Sequence, residues 1–269
     1  MKEMRRFSLS NSHQADTHAS QMLSTLAVCL LLLCAGQAVA QSEQQRVLCI
    51  GNSFTYYNDS HQWLCDIAKS EGKNLSATSV TVGGYSLYRH LVHDKTQSAI
   101  LDGDYDFVLL QDQSQTPARC AALGRKGRPI ARDARQLAER IRIYSPDAHI
   151  WVEQTWAYPH GNYGGFGSME RFDSLLRRGA KKMARSAHAK VSPIGDGFII
   201  ARRERPDINL YTEDGSHPSP SGTYLKCCVN YLMLYATPFS AQTATCGIDA
   251  GQAAYLRSVA ERVVLHGEK

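Results

Sequence analysis

The chain has 269 residues, 43% of them hydrophobic and 20% charged, with 30 basic against 25 acidic side chains and a formal net charge of +5. A disordered chain would be poorer in apolar residues, and a collagen-like one would hold far more than 20 Gly and 9 Pro in this length. No solenoid-length repeat runs along the chain and no Pro/Gly/Ser-rich linker divides it, so residues 41–269 read as one domain.

Residues 1–40 read as an export signal. Arg5 and Arg6 supply positive charge, Leu26 to Ala35 is an unbroken apolar run, and Ala38-Val39-Ala40 puts small residues at the cleavage positions. The run is about half the roughly 20 residues that a membrane helix needs, so no stable span is expected in the mature protein. Met22 is an alternative start. Leu33-Cys34 is an alternative lipoprotein site, although no small residue precedes the cysteine, and Arg5-Arg6 points weakly to twin-arginine export. The expected location is secreted or periplasmic.

Without the signal, 27 basic and 23 acidic residues remain. The densest basic stretches, Arg125 to Arg135 and Arg177 to Arg185, have helical spacing and read as solvated faces, so no nucleic-acid partner is expected. Oligomeric state is not legible. Cys49, Cys65, Cys120, Cys227, Cys228 and Cys246 also remain; an oxidising compartment allows pairing, and Cys227 or Cys228 with Cys246 is nearest in sequence. Cys49, inside an apolar strand, reads as a small buried residue. No C-x-x-C occurs, and zinc is not expected.

In chain order, Arg46 to Ile50 is an apolar run of strand length ending in Gly51, followed by a helical pattern from Ser60 to Ser70. Ala77 to Val82 is a second strand, ending in Gly83-Gly84, and Tyr88 to Ile100 a second helix. Asp106 to Leu110 is a third strand, Pro129 to Tyr144 a helix, Ala148 to Val152 a fourth strand, Ser168 to Ala189 a helix, and Val191 to Ile194 a weaker fifth strand. Helices from Ser219 to Tyr235 and from Asp249 to His266 close the chain. Strand followed by helix, repeated, implies an α/β fold: a three-layer, flavodoxin-like sandwich around a parallel sheet of about five strands. Near-continuous apolar strands agree with burial on both faces.

Ligands of such sheets bind beyond the carboxyl ends of the strands. Those ends carry Gly51-Asn52-Ser53-Phe54-Thr55, Gly83-Gly84, Gln111-Asp112-Gln113-Ser114 and Gln154-Thr155-Trp156-Ala157-Tyr158. A serine on a tight turn between strand and helix is placed as a nucleophile would be, although alone it is as well explained as a helix cap. In Asp214-Gly215-Ser216-His217-Pro218, a carboxylate three residues before an imidazole can hold that ring in one tautomer; turn formation explains the same residues. His90, His93 and Asp94 lie about one helical turn apart but lack a third ligand at suitable spacing, so neither a metal nor another cofactor is expected. His61, after Ser60 at a helix start, reads as a cap-region residue.

Gly-Asn-Ser after strand one, glycine after strand two, an amide side chain after strand three and Asp-x-x-His near the C-terminus resemble the SGNH hydrolase (GDSL esterase) family, over Val47 to about Pro238. The Gln-Asp-Gln-Ser, Thr-Trp-Ala-Tyr and Asp-Gly-Ser-His-Pro segments together resemble a carbohydrate-esterase-like bacterial subgroup of that family. The resemblance implies Ser53 as nucleophile, His217 as base and Asp214 as its orienter. The implied oxyanion hole consists of the N–H groups of Ser53 and Gly84 with a side-chain amide. The family's Gly-x-Asn-Asp is replaced here by Gln111-Asp112-Gln113-Ser114. Gln113 takes the asparagine's place with Gln111 as the alternative, and losing that donor should cost roughly 2.7 to 4 kcal/mol of transition-state stabilisation. Asn52, Gln111, Trp156 and Tyr158 are candidate substrate-binding residues, the two aromatics as platforms for a sugar or as core filling. The polar loop Tyr158–Gly167 either follows a sugar or simply connects. The expected function is hydrolysis of short acyl esters, O-acetyl groups on carbohydrate above all. A non-catalytic carbohydrate-binding protein on the same fold, or a lipase or thioesterase, is the alternative.

Overall fold

The computed structural model describes residues 43–159 and 165–269. The expected export signal, and residues 160–164 of the Tyr158–Gly167 loop, lie outside the described residues. Five strands, β1 (Gln45–Gly51), β2 (Leu75–Thr81), β3 (Phe107–Leu110), β4 (His149–Glu153) and β5 (Lys190–Ser192), form one parallel sheet in the order β2-β1-β3-β4-β5. Helices cover both faces, which makes the three-layer α/β sandwich.

The period-two alternation of each strand divides the core. Val47 and Cys49 of β1, Phe107 and Leu109 of β3 and Trp151 of β4 pack with helices Ser60–Ser70, Ile194–Glu204, Pro220–Tyr235 and Ala250–Leu265. Leu48 and Ile50, Val108 and Leu110, and Ile150 and Val152 point the other way. They pack on Leu87–His90, Asp94–Asp102, Arg128–Tyr144 and the last turn of Met169–Ser186. Buried apolar area of this kind contributes about 25 cal/mol per Å², so two full layers carry most of the driving force for folding.

Three departures from the sequence pattern have local causes. The expected helix Tyr88–Ile100 is two helices, Leu87–His90 and Asp94–Asp102, because His93 has extended backbone and the inward-turned His90 ring bonds to Gly51 O at 2.9 Å. Ile194 is not in β5 but begins helix Ile194–Glu204, since Pro193 cannot donate to a strand ladder. Helix Thr116–Ala122, with Pro117 in its first turn, is too short to show a hydrophobic period.

All six cysteines among the described residues are free thiols; none is paired as export would allow. Burial pushes the Cys49 and Cys246 thiols up to about 12. No helix of the described residues is long and apolar enough to cross a membrane.

Candidate active site

Strand order reverses direction between β1 and β3, and that switch point is where the polar turns converge. A Cβ on Gly51 would come within 2.5 Å of Thr55 Oγ1 and 2.7 Å of Gln111 Oε1, so only glycine lets the strand end pass this closely. The next residue, Asn52, caps the helical turn Ser53–Tyr56: its Oδ1 accepts from Phe54 N at 3.1 Å, and its Nδ2 donates to Tyr85 O at 2.8 Å. The Ser53 turn is thereby tied to the loop that follows β2.

The loop that carries the histidine is a closed hairpin. Tyr211 bridges Pro218, Thr212 N donates to His217 O at 2.9 Å, and the Tyr211 hydroxyl donates to Ala157 O at 2.9 Å. These bonds bring His217 Nε2 to 2.7 Å from Ser53 Oγ, while His217 Nδ1 is hydrogen-bonded to Asp214 Oδ2. Desolvation pushes the Asp214 carboxyl up. The hydrogen bonds from the His217 ring, from the His217 and Ser216 N–H groups and from the Thr212 hydroxyl outweigh it and hold the carboxyl well below the usual carboxylate range. Ser53, His217 and Asp214, separated by up to 164 positions, thus form one hydrogen-bonded relay.

Among the described residues, neither Ser53 N–H nor Gly84 N–H is engaged by another hydrogen bond. Gly84 is solvent-exposed at φ +70, a left-handed conformation that a residue with a Cβ adopts only at a cost. Two backbone donors are therefore available in the turns that follow β1 and β2.

The amide side chains behave otherwise than expected. Gln111 is buried: its Oε1 accepts from Asn52 N at 2.9 Å and Thr55 Oγ1 at 3.0 Å, and its Nε2 donates to Asp112 O. It presents its acceptor to the Ser53 turn, the reverse of what an oxyanion donor would do. Gln113 turns into its own loop, where Oε1 accepts from Gln115 N at 3.0 Å and Nε2 donates to Ser114 Oγ at 3.2 Å. Gln113→Ala should therefore lower kcat by less than about tenfold, well short of the loss of an oxyanion donor. Steady-state kinetics decide, since a fall of about a hundredfold or more would place the amide on the oxyanion.

Trp156 and Tyr158 are not on an accessible rim; they are 1% and 2% exposed. The Trp156 ring lies stacked between Phe54 at 4.5 Å and Phe198 at 4.3 Å, and its Nε1 donates to Ser216 O at 3.0 Å. It braces the Ser53 turn and the His217 loop from inside, because the loop after β4 passes under them instead of around them. Tyr158 packs edge-on against Phe54 and Phe172. Asn52, also buried, is a turn-former and does not present its side chain to a substrate.

Asp112 joins two of the loops: Oδ1 accepts from Leu87 N at 3.0 Å and Gln113 N at 2.7 Å, while Oδ2 is buried with no partner among the described residues. Burial, only partly offset by those two N–H groups, pushes its carboxyl up to about 7. A raised acid binds its proton more tightly in the folded state. Its contribution to stability is thus present at low pH and is lost as pH rises from the unfolded value of about 3.9 through about 7. Between about pH 5 and pH 8 the wild-type melting temperature should fall relative to that of Asp112→Asn, which keeps both backbone bonds. Parallel curves would mean that Asp112 does not titrate there.

Sequence reasoning missed the polar network beneath the Ser53 turn. Lys226 Nζ, in helix Pro220–Tyr235, donates to Phe54 O at 2.9 Å and Thr55 Oγ1 at 3.2 Å and pairs with Glu153 Oε2 at 3.0 Å. Glu153 Oε1 accepts from Asn230 Nδ2 at 2.8 Å, and Asn230 Oδ1 accepts from Ser192 Oγ at 2.7 Å. The available signal was a single charge in each of two apolar segments, the end of β4 and the middle of a buried helix. His90, whose ring joins Gly51 O to Thr96 Oγ1, is another such support, and burial lowers it to about 4, so it stays neutral. No group of three or more His, Cys, Asp or Glu among the described residues is arranged to hold a metal ion.

No protein-family model and no curated protein sequence matches the chain. Solved structures do. A DUF4886 family protein from Bacteroides uniformis is 22% identical at a TM-score of 0.68, over 84% of this chain and 97% of its own. A protein from Slackia heliotrinireducens assigned to the SGNH hydrolases is 23% identical at 0.59, over 70% and 98%. A variant of an acetyl xylan esterase from Geobacillus stearothermophilus is 13% identical at 0.54, over 71% and 94%. With the sheet order and the convergence of the strand-end turns, these likenesses establish that the chain has the SGNH/GDSL hydrolase fold.

Proposed function

We propose that the protein is an exported serine esterase that removes short acyl groups, O-acetyl groups foremost, from carbohydrate. The observation that carries the hydrolytic reading is the relay itself: Ser53 Oγ within 2.7 Å of His217 Nε2, with Asp214 behind the ring. His217 takes the proton as Ser53 Oγ bonds to the ester carbonyl carbon, and the Ser53 and Gly84 N–H groups stabilise the oxyanion. The carbon–oxygen bond to the alcohol then breaks, and His217 returns the proton to the leaving oxygen. Water attacks the acyl-serine with His217 again as base, releasing the acid and restoring Ser53. Support for the substrate class comes from the acetyl xylan esterases that share the fold. Support for export comes from residues 1–40.

The test is covalent labelling by a fluorophosphonate probe, expected on wild type and lost in Ser53→Ala, together with acetate release from acetylated xylan. Little hydrolysis of acyl chains of about eight carbons or longer is expected. One observation favours a second reading, a carbohydrate-binding protein without efficient turnover: both glutamines are bonded elsewhere, and neither is turned toward Ser53 as an oxyanion donor would be. Absence of labelling would select it.

A further inference from the structure

We propose that Tyr56 is the platform on which the alcohol half of the ester lies, and that this half is a sugar ring; the proposal rests on the esterase reading of Ser53. Within the turn Ser53–Tyr56 and the residue after it, Phe54 and Thr55 are buried and Tyr57 half-buried, while Tyr56 is 41% exposed. The Tyr57 ring stacks on the His217 imidazole at 4.3 Å and 11° between planes, and Tyr56 stacks on Tyr57 at 5.7 Å and 26°. A row of three rings therefore runs from the catalytic base outward, and Tyr56 is its solvent-facing end.

The other end of the Tyr56 side chain fixes its place across the site. A methyl group added at Gly83 would come within 3.3 Å of the Tyr56 hydroxyl, so the ring reaches from the base's flank to the turn that carries the Gly84 N–H. An exposed tyrosine by itself means little. This one is three residues from the nucleophile and is linked by ring contact to the base.

Chemistry selects which half of the ester meets it. The leaving oxygen must stand at His217 Nε2 to receive its proton, so the group attached to that oxygen lies beside the rings packed on the imidazole. A tyrosine offers a flat apolar face and a polar tip, which suits the C–H face and hydroxyl rim of a pyranose. Trp156 and Tyr158, the aromatics that follow β4, are enclosed and cannot take this part.

Two acetate esters that differ only in the alcohol read the proposal: an acetylated xylo-oligosaccharide and triacetin, whose alcohol is acyclic. In Tyr56→Ala the ratio of kcat/KM for the sugar ester to that for triacetin should fall at least tenfold, chiefly through KM, and Tyr56→Phe should keep most of the ratio. Calorimetric binding of the same oligosaccharide to Ser53→Ala gives a readout free of turnover, and adding Tyr56→Ala should raise its Kd by about tenfold. An unchanged ratio, equal losses on both esters, or binding indifferent to Tyr56 would overturn the platform. Wild type active on triacetin but not on the sugar ester would do so while leaving the esterase standing. If Ser53 resists labelling and neither ester is hydrolysed, the esterase reading falls, and the calorimetric arm still decides whether Tyr56 holds a sugar.

Discussion

Ser53→Ala should lower kcat for acetate-ester hydrolysis by about 10⁶-fold, leaving a residual rate on the order of 10³ over water from the backbone oxyanion donors and binding. The fold should be undisturbed. Among the described residues Ser53 Oγ has one partner, His217 Nε2, and its loss removes no packing from the buried Phe54 and Thr55 beside it, so the melting temperature should stay within a degree or two. Asp214→Asn should cost about 10⁴-fold with little change in KM, because an amide presents N–H to the ring atom that Asp214 now accepts from and so selects the wrong tautomer. The carboxyl is held low by the hydrogen-bonding groups around it, so mild acidification should not mimic that variant. Initial rates of both variants, with melting curves as controls, decide. Turnover retained in Ser53→Ala would end the serine mechanism.

The sheet and the relay were legible for a shared reason. Strand runs such as 46–50 and 106–110 are apolar on both faces, and the turns after them carry the polar residues, so the rule for parallel sheets points to Ser53 without knowledge of any contact. The Asp214 to His217 spacing is local, and a turn enforces it. What stayed hidden depended on where side chains turn. An amide after β3 is equally consistent with donating to an oxyanion or with accepting from Asn52 N–H, and only the close approach of Gly51 to Gln111 selects the second. Trp156 and Tyr158 follow a strand end, as Ser53 does. Whether such a segment rims the site or dives beneath it is set by Phe54 and Phe198, from elements 102 and 42 positions away. Tyr56 and Tyr57 had no signal apart from their neighbourhood, since two adjacent tyrosines after a helical turn fit a surface as well as a site.

Lys226→Met should destabilise the protein by about 3 to 5 kcal/mol, because it leaves the Glu153 carboxylate buried at 2% exposure without its cation. For a domain of this size that is a fall in melting temperature of about 6 to 20 °C. Methionine matches the lysine stem in bulk, so packing loss contributes little and the polar imbalance dominates. Glu153→Gln should cost less, since Lys226 keeps Phe54 O and Thr55 Oγ1 as acceptors and the amide can still accept from Asn230. The double variant should recover part of the Lys226→Met loss, with a coupling energy of about 1 to 3 kcal/mol, because its buried site then holds no unpaired charge. Activity adds an independent check. Lys226 holds the carbonyl of Phe54, the residue after the nucleophile, and a displacement of about 1 Å at a reacting group can cost about 10²-fold in rate. At a temperature well below every melt, Lys226→Met should thus lower kcat and the rate of fluorophosphonate labelling together while KM holds. Melting within a degree or two of wild type would mean the pair is solvated in solution. Normal kcat in a destabilised variant would confine Lys226 to stability, and the angle of Ser53 would then be set by Asn52 and Gln111 alone.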